Sequence, residues 1–353
     1  VSLLARAVLR RLLLLLPTLL GITLLTFALL HLLPGDGAAL RFGGEGADPG
    51  AVDAAAFERF RAEHLLDAPL WRQYLDYLGP FDLSPRGHAW FGGSGEQPWG
   101  GLLAGDLGRE LLRPSVGIAG ELAQRLAITV PMSLAAAALI FGIGWPLGVL
   151  LAVRRGSAFA RTLEVLLFAL YALPTFWLGM ALQSLLGGGG LGWLPVVGLH
   201  GRDADSAHGW HYALDTLAHA VLPLVALVAP SLAYVARQAR SSVLEVLDAD
   251  FVLCARARGS SERQVLWRHV VPNALTPLVT LVGQTLPWLV GGWVVIETVF
   301  ELPGMGKYAY DGLMRREYGV VAACVLLSAL LTALGHLASD LAQAWIDPRV
   351  RLD

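Results

Sequence analysis

Four arginines, a glutamate and a histidine crowd into "DFVLCARARGSSERQVLWRHVVPNALTP", Asp250–Pro277, between stretches apolar enough to live in lipid. Guanidinium groups at this density recognise carboxylates or phosphates. Their partners are therefore lipid headgroups or the surface of another protein. Other chemistry-bearing residues are sparse. His336 and Asp340 lie one helical turn apart, but two ligands on one turn make no metal or proton site, and a hydrogen-bonded interfacial pair is the plainer reading. His200, His208 and His211 fall in a turn-rich stretch without cysteine or paired carboxylates, so they read as solvated. The two cysteines, Cys254 and Cys324, offer no disulfide framework. There is no H-E-x-x-H, no G-x-S-x-G and no G-x-x-x-x-G-K-[ST] stretch, so no catalytic, metal or phosphate-loop residue is assigned.

The basic stretch carries its own start and stop signals. Asp248 or Asp250 is placed to cap a short helix running to Arg258. Gly259 stands where a left-handed residue ends a helix, and Arg256 and Arg258 in the last turn suit the dipole. Ser261 and Gln264 have capping-box spacing, which opens a second helix, and Pro272 marks its approximate end. The expectation is helix, glycine turn, helix. A solvated basic loop would explain the charge, but not the paired signals around Gly259.

Such a hairpin needs a rigid support, and the rest of the chain supplies apolar runs. Of the 353 residues, 55% are hydrophobic and only 15% charged, with a mean hydropathy of +0.58; soluble domains carry about a quarter charged residues. Leu12–Leu33 holds no charged residue, and at about 1.5 Å per residue it crosses a bilayer core of about 30 Å. Arg6, Arg10 and Arg11 precede it, yet the apolar core exceeds a signal-peptide h-region, so an uncleaved first span is expected. Five further runs lie near Leu126–Val153, Leu163–Leu186, Thr216–Ala236, Leu278–Ile296 and Gly319–Ile346. The expected class is therefore an all-α integral membrane protein with six spans. Seven prolines, Pro17, Pro131, Pro146, Pro174, Pro223, Pro230 and Pro287, fall in these runs, where proline is tolerated and often kinks. Gly144 and Gly148 make a small-xxx-small pair for close helix contact.

Arginine sets the orientation. It concentrates at the N-terminus, in Arg154–Arg161 and in Arg237–His269, which places all three, and the tail 347–353, in the cytoplasm. Residues 1–33 form the N-terminal segment and first span. Residues 34–120 then fall outside as a cap, with helical spacing in "DAAAFERFRAEHLL" capped by Asp53, and Pro69 in the first turn of another helix. The stretch "LGPFDLSPRGHAWFGGSGEQPWGG" reads as an aromatic, turn-rich loop: a docking surface for an external partner, or a structural lid. Residues 121–346 hold the five remaining spans, with the hairpin at 248–273. The net charge of −2 makes no case for nucleic acid, and none is expected as a partner.

The hairpin resembles the cytoplasmic loop of ABC importer permeases, whose pattern is E-A-A, three residues, Gly, nine residues, I-x-L-P. Leu253, Cys254 and Ala255 occupy the E-A-A positions, Gly259 the glycine, and His269, Val271 and Pro272 the I-x-L-P positions. Leu253, Cys254 and His269 depart from the general pattern but are similar to the dipeptide/oligopeptide/nickel branch. The likeness continues in order along the chain: "RRLLLLLPTLLGITLLTFALLHLLPGD", "GDLG" at Gly105–Gly108, "ALPTFWLGM", "LGWLPVVG", "LPLVALVAPSLAYVARQARSSVLEVL", "ETVFELPGMGKYAYDGL" and "IDPRVRLD". The segment Leu78–Ala104 is longer than that branch's usual version.

This resemblance implies a bacterial inner-membrane permease, most often for peptides, that pairs with a second, homologous permease. It implies two cytoplasmic ATPase subunits or domains that hold ATP and magnesium, and an external solute-binding protein that delivers cargo. It makes the hairpin the coupling element, through Asp250, Ala255, Arg256, Ala257, Arg258, Gly259, Ser261, Arg263, Arg268, His269, Pro272 and Asn273. On the external side it singles out Gly105, Asp106, Gly108, Glu301, Pro303, Gly304 and Gly306. The rival readings are an ion-coupled transporter, disfavoured by mid-span segments free of Asp, Glu, Lys and Arg, and a membrane-embedded enzyme, for which no catalytic motif is present.

Overall fold

The computed structural model describes residues 3–32, 54–63, 65–79, 101–110, 112–201, 209–275, 277, 281–282 and 293–346. Within them the secondary structure is helical, apart from one isolated antiparallel bridge between Arg109 and Gly117. In chain order the helices are α1 (Leu3–Leu32), α2 (Ala54–Glu63), α3 (Leu70–Leu78), α4 (Ile118–Val153), α5 (Ala158–Ala172), α6 (Thr175–Leu186), α7 (Trp210–Leu247) and α8 (Asp250–Ala257). Glu262–Gln264, a π-helical turn Val265–Val270 and Val271–Ala274 then run on as one helical stretch, α9. Next come α10 (Val294–Val299), α11 (Met305–Met314) and α12 (Tyr318–Ile346).

Among the described residues four helices are long and apolar enough to cross a membrane: α1, α4, α7 and α12. Their outer leucines, such as Leu13, Leu16, Leu25 and Leu29 of α1, are exposed, which water would penalise and hydrocarbon does not. The expected span over Leu163–Leu186 is not a single helix. It is two helices, α5 and α6, bent by 104°. The cause is Pro174: the residue before a proline is driven out of the helical region, and Leu173 is extended at φ −79°, ψ 131°. Neither helix alone reaches the ~30 Å of a bilayer core. Counted as one bent pair they bring the total to five. The expected run Leu278–Ile296 lies largely outside the described residues, as do Asp53, the loop 80–100 and the tail 347–353.

The chain divides into two compact units. The described residues of Thr129–Pro303, with the helix ends in Val1–Val8 and Leu331–Asp353, make the first. Here α4 and α7 pack through Ala136, Ile140, Val228, Val235 and Ala239. Gly144 and Gly148 make that contact possible: a Cβ on Gly144 would sit 3.0 Å from Val235 Cγ1, and one on Gly148 would overlap Ala239 and the Ala236 carbonyl. Leu151, Ala160 and Leu167 join Ala233 and Ala236 to seat α5 on α7. Leu222, Ala226 and Leu227 of α7 pack with Ile296, Phe300 and Leu302. Glu297, 4% exposed, accepts the Thr129 hydroxyl at 2.8 Å.

The second unit comprises the described residues of Leu9–Ile128 and Gly304–Leu330. The short helix α3 lies against the C-terminal half of α1, where Phe27 and Leu30 meet Tyr77, Tyr318 and Ala322. Polar contacts fix the register, with Thr23 3.0 Å from the Tyr74 hydroxyl and His31 Nε2 3.0 Å from Gln73 Oε1. Pro69 is the N-cap residue of α3, just outside the first turn in which it was expected. A second cluster joins Ile118 and Leu122 of α4 to Met305 and Tyr308 of α11 and to Val320, Ala323 and Cys324 of α12.

Candidate functional site

The basic stretch folds as a helical hairpin at the end of α7. Neither aspartate caps α8. The N-cap residue is Ala249, extended and without a side-chain cap, while Asp250 lies in the first turn, where its charge suits the dipole. Asp248 follows the last residue of α7 instead, and its carboxylate is 3.5 Å from Arg155. The turn itself matches expectation. Gly259 has φ +86°, its N–H donates to Arg256 O at 2.9 Å, and Ser260 N–H reaches Ala255 O at 3.2 Å. This pair of bonds is the Schellman arrangement, which favours glycine at its left-handed residue. A Cβ there would meet nothing within 4 Å, so the demand for glycine is purely one of backbone conformation.

The second helix starts on a complete capping box: Gln264 N–H donates to Ser261 Oγ and Ser261 N–H to Gln264 Oε1. Arg256 closes the hairpin by gripping Glu262 with Nε at 2.9 Å and Nη2 at 3.3 Å. Pro272 lies near the end of the helix, as expected, but does not itself terminate it. The chain passes through it to Ala274, and the turn ahead of it, Val265–Val270, widens to π geometry. A proline lacks the N–H and crowds the carbonyl four residues back, and an extra residue in the preceding turn accommodates both. Asn273 Nδ2 donates to His269 O at 2.6 Å across the altered turn.

Burial divides the hairpin into two faces. Val252, Ala255, Val265, Val270, Val271 and Ala274 are buried against Val149 and Ala152 of α4 and Val243 of α7. On the other side Phe251, Leu253 and Trp267 stand 45%, 54% and 59% exposed, beside Cys254. Ala257, Arg258, Gly259, Ser261, Arg263, Arg268, Pro272 and Asn273 are also exposed, while Arg256 and His269 are half-buried. Ala255 alone among the anticipated hairpin residues serves the inner face. The hairpin is thus pinned on one side and presents an aromatic and basic surface on the other. Aromatic and arginine side chains are the groups that carry protein–protein binding energy.

The second anticipated group is split between the compact units. In the α3–α11 unit "GDLG" is a backbone device: Gly105 and Gly108 have φ +80° and +75°, and Asp106 Oδ1 accepts the Gly108 N–H at 2.9 Å. Gly108 O then receives Ile118 N–H at the start of α4. Leu107 packs on the cluster containing Met305 and Tyr308, so the motif and the segment of Gly304 and Gly306 meet in one core. Gly304 is the N-cap residue of α11 and Gly306 is buried. Glu301 and Pro303 fall in the hairpin unit, where Glu301 is exposed with φ +53°.

A carboxylate that the motifs do not flag anchors this second unit. Glu110 is 3% exposed; Arg113 binds it with Nε at 2.6 Å and Nη2 at 2.8 Å, and the Tyr308 hydroxyl donates to it at 2.8 Å. Burial, reinforced by that bond, pushes the Tyr308 hydroxyl pKa well up, and the bond to Glu110 raises the Arg113 guanidinium. Glu317, also buried, accepts the Leu112 N–H at 2.6 Å. Only Glu297, an acid closing an apolar run in "GGWVVIETVF", carried a visible signal in the sequence. His200 is not simply solvated: it is half-buried, with Nε2 2.6 Å from the Tyr212 hydroxyl and Nδ1 3.1 Å from Thr216 Oγ1. His211 and His336 are exposed, and His208 lies outside the described residues. Among the described residues no group of three or more His, Cys, Asp or Glu side chains is placed to hold a metal ion.

Residues 144–352 match the family model for the binding-protein-dependent transport system inner membrane component. The chain is 34% identical over 362 residues to the dipeptide transport system permease protein DppB of Escherichia coli K12, covering 98% of each. It is 36% identical over 355 residues to the di/tripeptide transport system permease protein DppB of Pseudomonas aeruginosa, covering 97% of each. Against the oligopeptide transport system permease protein AppB of Bacillus subtilis it is 32% identical over 346 residues, with 98% of this chain and 99% of that one covered. Among solved structures, the inward-facing MetNI methionine ABC transporter superposes with a TM-score of 0.51 at 22% identity, over 65% of this chain and 98% of that one. That likeness concerns the fold.

Proposed function

Because the chain belongs to the family of binding-protein-dependent transport system inner membrane components, we propose that it is one of two homologous permease subunits of an ATP-driven importer for peptides. The peptide assignment follows the three permeases compared, which are named for dipeptide, di/tripeptide and oligopeptide transport systems. ATP and magnesium belong to two ATPase partners on the cytoplasmic side, since the sequence holds no phosphate loop. An external solute-binding protein delivers the cargo to the side of residues 34–120, and lipid surrounds the spans. The arginine distribution supports six spans with both termini in the cytoplasm.

The observation that carries this reading is the two-faced hairpin. Its inner face, centred on Val252, Val265 and Val270, is packed on the ends of α4 and α7. Force applied to the outer face therefore passes into two long helices through a close-packed contact. Phe251, Leu253 and Trp267, with Arg258 and Arg263 exposed on the same hairpin, offer an ATPase apolar and basic groups to grip. When ATP closes the ATPase pair, the hairpin is carried with it and the helices follow.

The native thiol of Cys254 tests this, because it is exposed on the outer face. In inverted vesicles stripped of the ATPase subunits, a bulky maleimide should label Cys254. Re-addition of the ATPase should shield it. Equal labelling with and without ATPase would place the docking surface elsewhere.

A further inference from the structure

Beyond its protein partners, we propose that this chain holds an anionic phospholipid, phosphate inward, in a cavity between α5 and α7. The cavity encloses about 350 Å³ and lies where α4 ends and α5 begins. Its polar rim is Arg161, Arg237 and Arg240 with a single acid, Glu164. Val165 and Phe168 continue the wall, and both are exposed.

The charge balance identifies the ligand. Arg240 is the arginine that neutralises Glu164, with Nε 2.8 Å from Oε1. Despite that short separation, the Nε is sealed from solvent and makes no hydrogen bond among the described residues. Arg161 and Arg237 face no acid in the cavity beyond Glu164 and form no ion pair among the described residues. Arg237 is held instead by Tyr171, with its guanidinium carbon 5.1 Å from the ring centroid, and Tyr171 stacks on Tyr234 at 6.4 Å. The rim therefore carries an excess of positive charge, in donors whose planar geometry suits phosphate oxygens.

The apolar side identifies the ligand's other half. Arg161 lies in the first turn of α5, and Phe168 stands about 10 Å further along the helix axis. Charge at the helix start followed by exposed apolar wall matches a phosphodiester at the membrane boundary and an acyl chain running into the hydrocarbon. A basic pocket between membrane helices is a lipid-headgroup site on general grounds. A free phosphate would use the rim but leave Val165 and Phe168 without a partner.

Native mass spectrometry of the intact purified transporter, with phosphatidylglycerol and phosphatidylcholine as probes, tests the proposal. Phosphatidylglycerol should be retained and phosphatidylcholine lost. Arg161→Gln with Arg237→Gln should lower phosphatidylglycerol occupancy about tenfold, whereas Arg161→Lys with Arg237→Lys should keep most of it. If the glutamine pair does not assemble, the lysine pair and the lipid selectivity of the native protein decide. Displacement of the lipid by millimolar inorganic phosphate would make this a free-anion site and overturn the proposal. Equal retention of both lipids would overturn it too. So would a photo-crosslinking residue at Phe168 that couples to the second permease, because the cavity would then be a subunit interface.

Discussion

Gly259 and Glu301 occupy the same backbone state with opposite chemistry. Both follow a helix, both have positive φ, and both sit in paired turn bonds: Leu302 N–H reaches Glu297 O at 2.8 Å and Glu301 N–H reaches Thr298 O at 3.3 Å. Leu65 and Arg316 repeat the arrangement after α2 and α11. A side chain in this conformation costs about 1 kcal/mol relative to glycine. Glu301→Gly should therefore stabilise the assembled protein by about 1 kcal/mol, read as a higher midpoint of thermal unfolding; an unchanged or lower midpoint refutes the strain. Gly259→Val runs the other way. It should cost about 1 kcal/mol or more in backbone strain alone, since no neighbour would clash. The protein should still insert. Binding-protein-stimulated ATP hydrolysis should uncouple from peptide uptake in the reconstituted complex, and wild-type coupling would mean that the turn is passive.

Among the elements, the contact between α4 and α7 decides most. Gly148 is pressed against Ala239 and the Ala236 backbone, whereas Gly142, on the same helix, would place a Cβ in open space. Gly148→Ala should destabilise the protein by about 1–3 kcal/mol through overpacking. Gly142→Ala should be neutral or stabilising by up to about 1 kcal/mol, because alanine favours helix. Equal effects would show that helix propensity, not packing, governs both sites. The small-xxx-small spacing announced this contact, but the sequence does not reveal which helix it meets. The break at Pro174 was half legible. Its proline stood in plain view, yet a kinked helix and a 104° turn share one sequence pattern, because neighbouring helices choose between them.

For the whole molecule the property to test is orientation. The proposed orientation, hairpin in the cytoplasm and residues 34–120 outside, rests on the arginine clusters. Cys254 supplies one reporter without mutation, being exposed, while Cys324 is buried. With Ser94→Cys as a second, an impermeant maleimide applied to right-side-out vesicles should label position 94 and leave Cys254 unmodified. In inverted, ATPase-free vesicles the pattern should reverse. Labelling of both from one side would dismantle the proposed six-span topology.

The sequence by itself determined the hairpin's local signals and the membrane class. Gly259, Ser261 and Gln264 act within a few residues of themselves, through backbone conformation and caps that short-range physics dictates. Apolar runs of membrane length are equally local statements. The tertiary structure alone decided which hairpin residues face inward, because Ala255 and Cys254 differ only in what α4 and α7 place opposite them. It also decided that Pro272 is absorbed by a wide turn, that Asp248 serves α7 instead of α8, and that Glu110 is buried. That carboxylate reaches Tyr308, 198 positions further along the chain. A lone acid followed three residues later by an arginine looks like surface until folding supplies a distant hydroxyl to hold it.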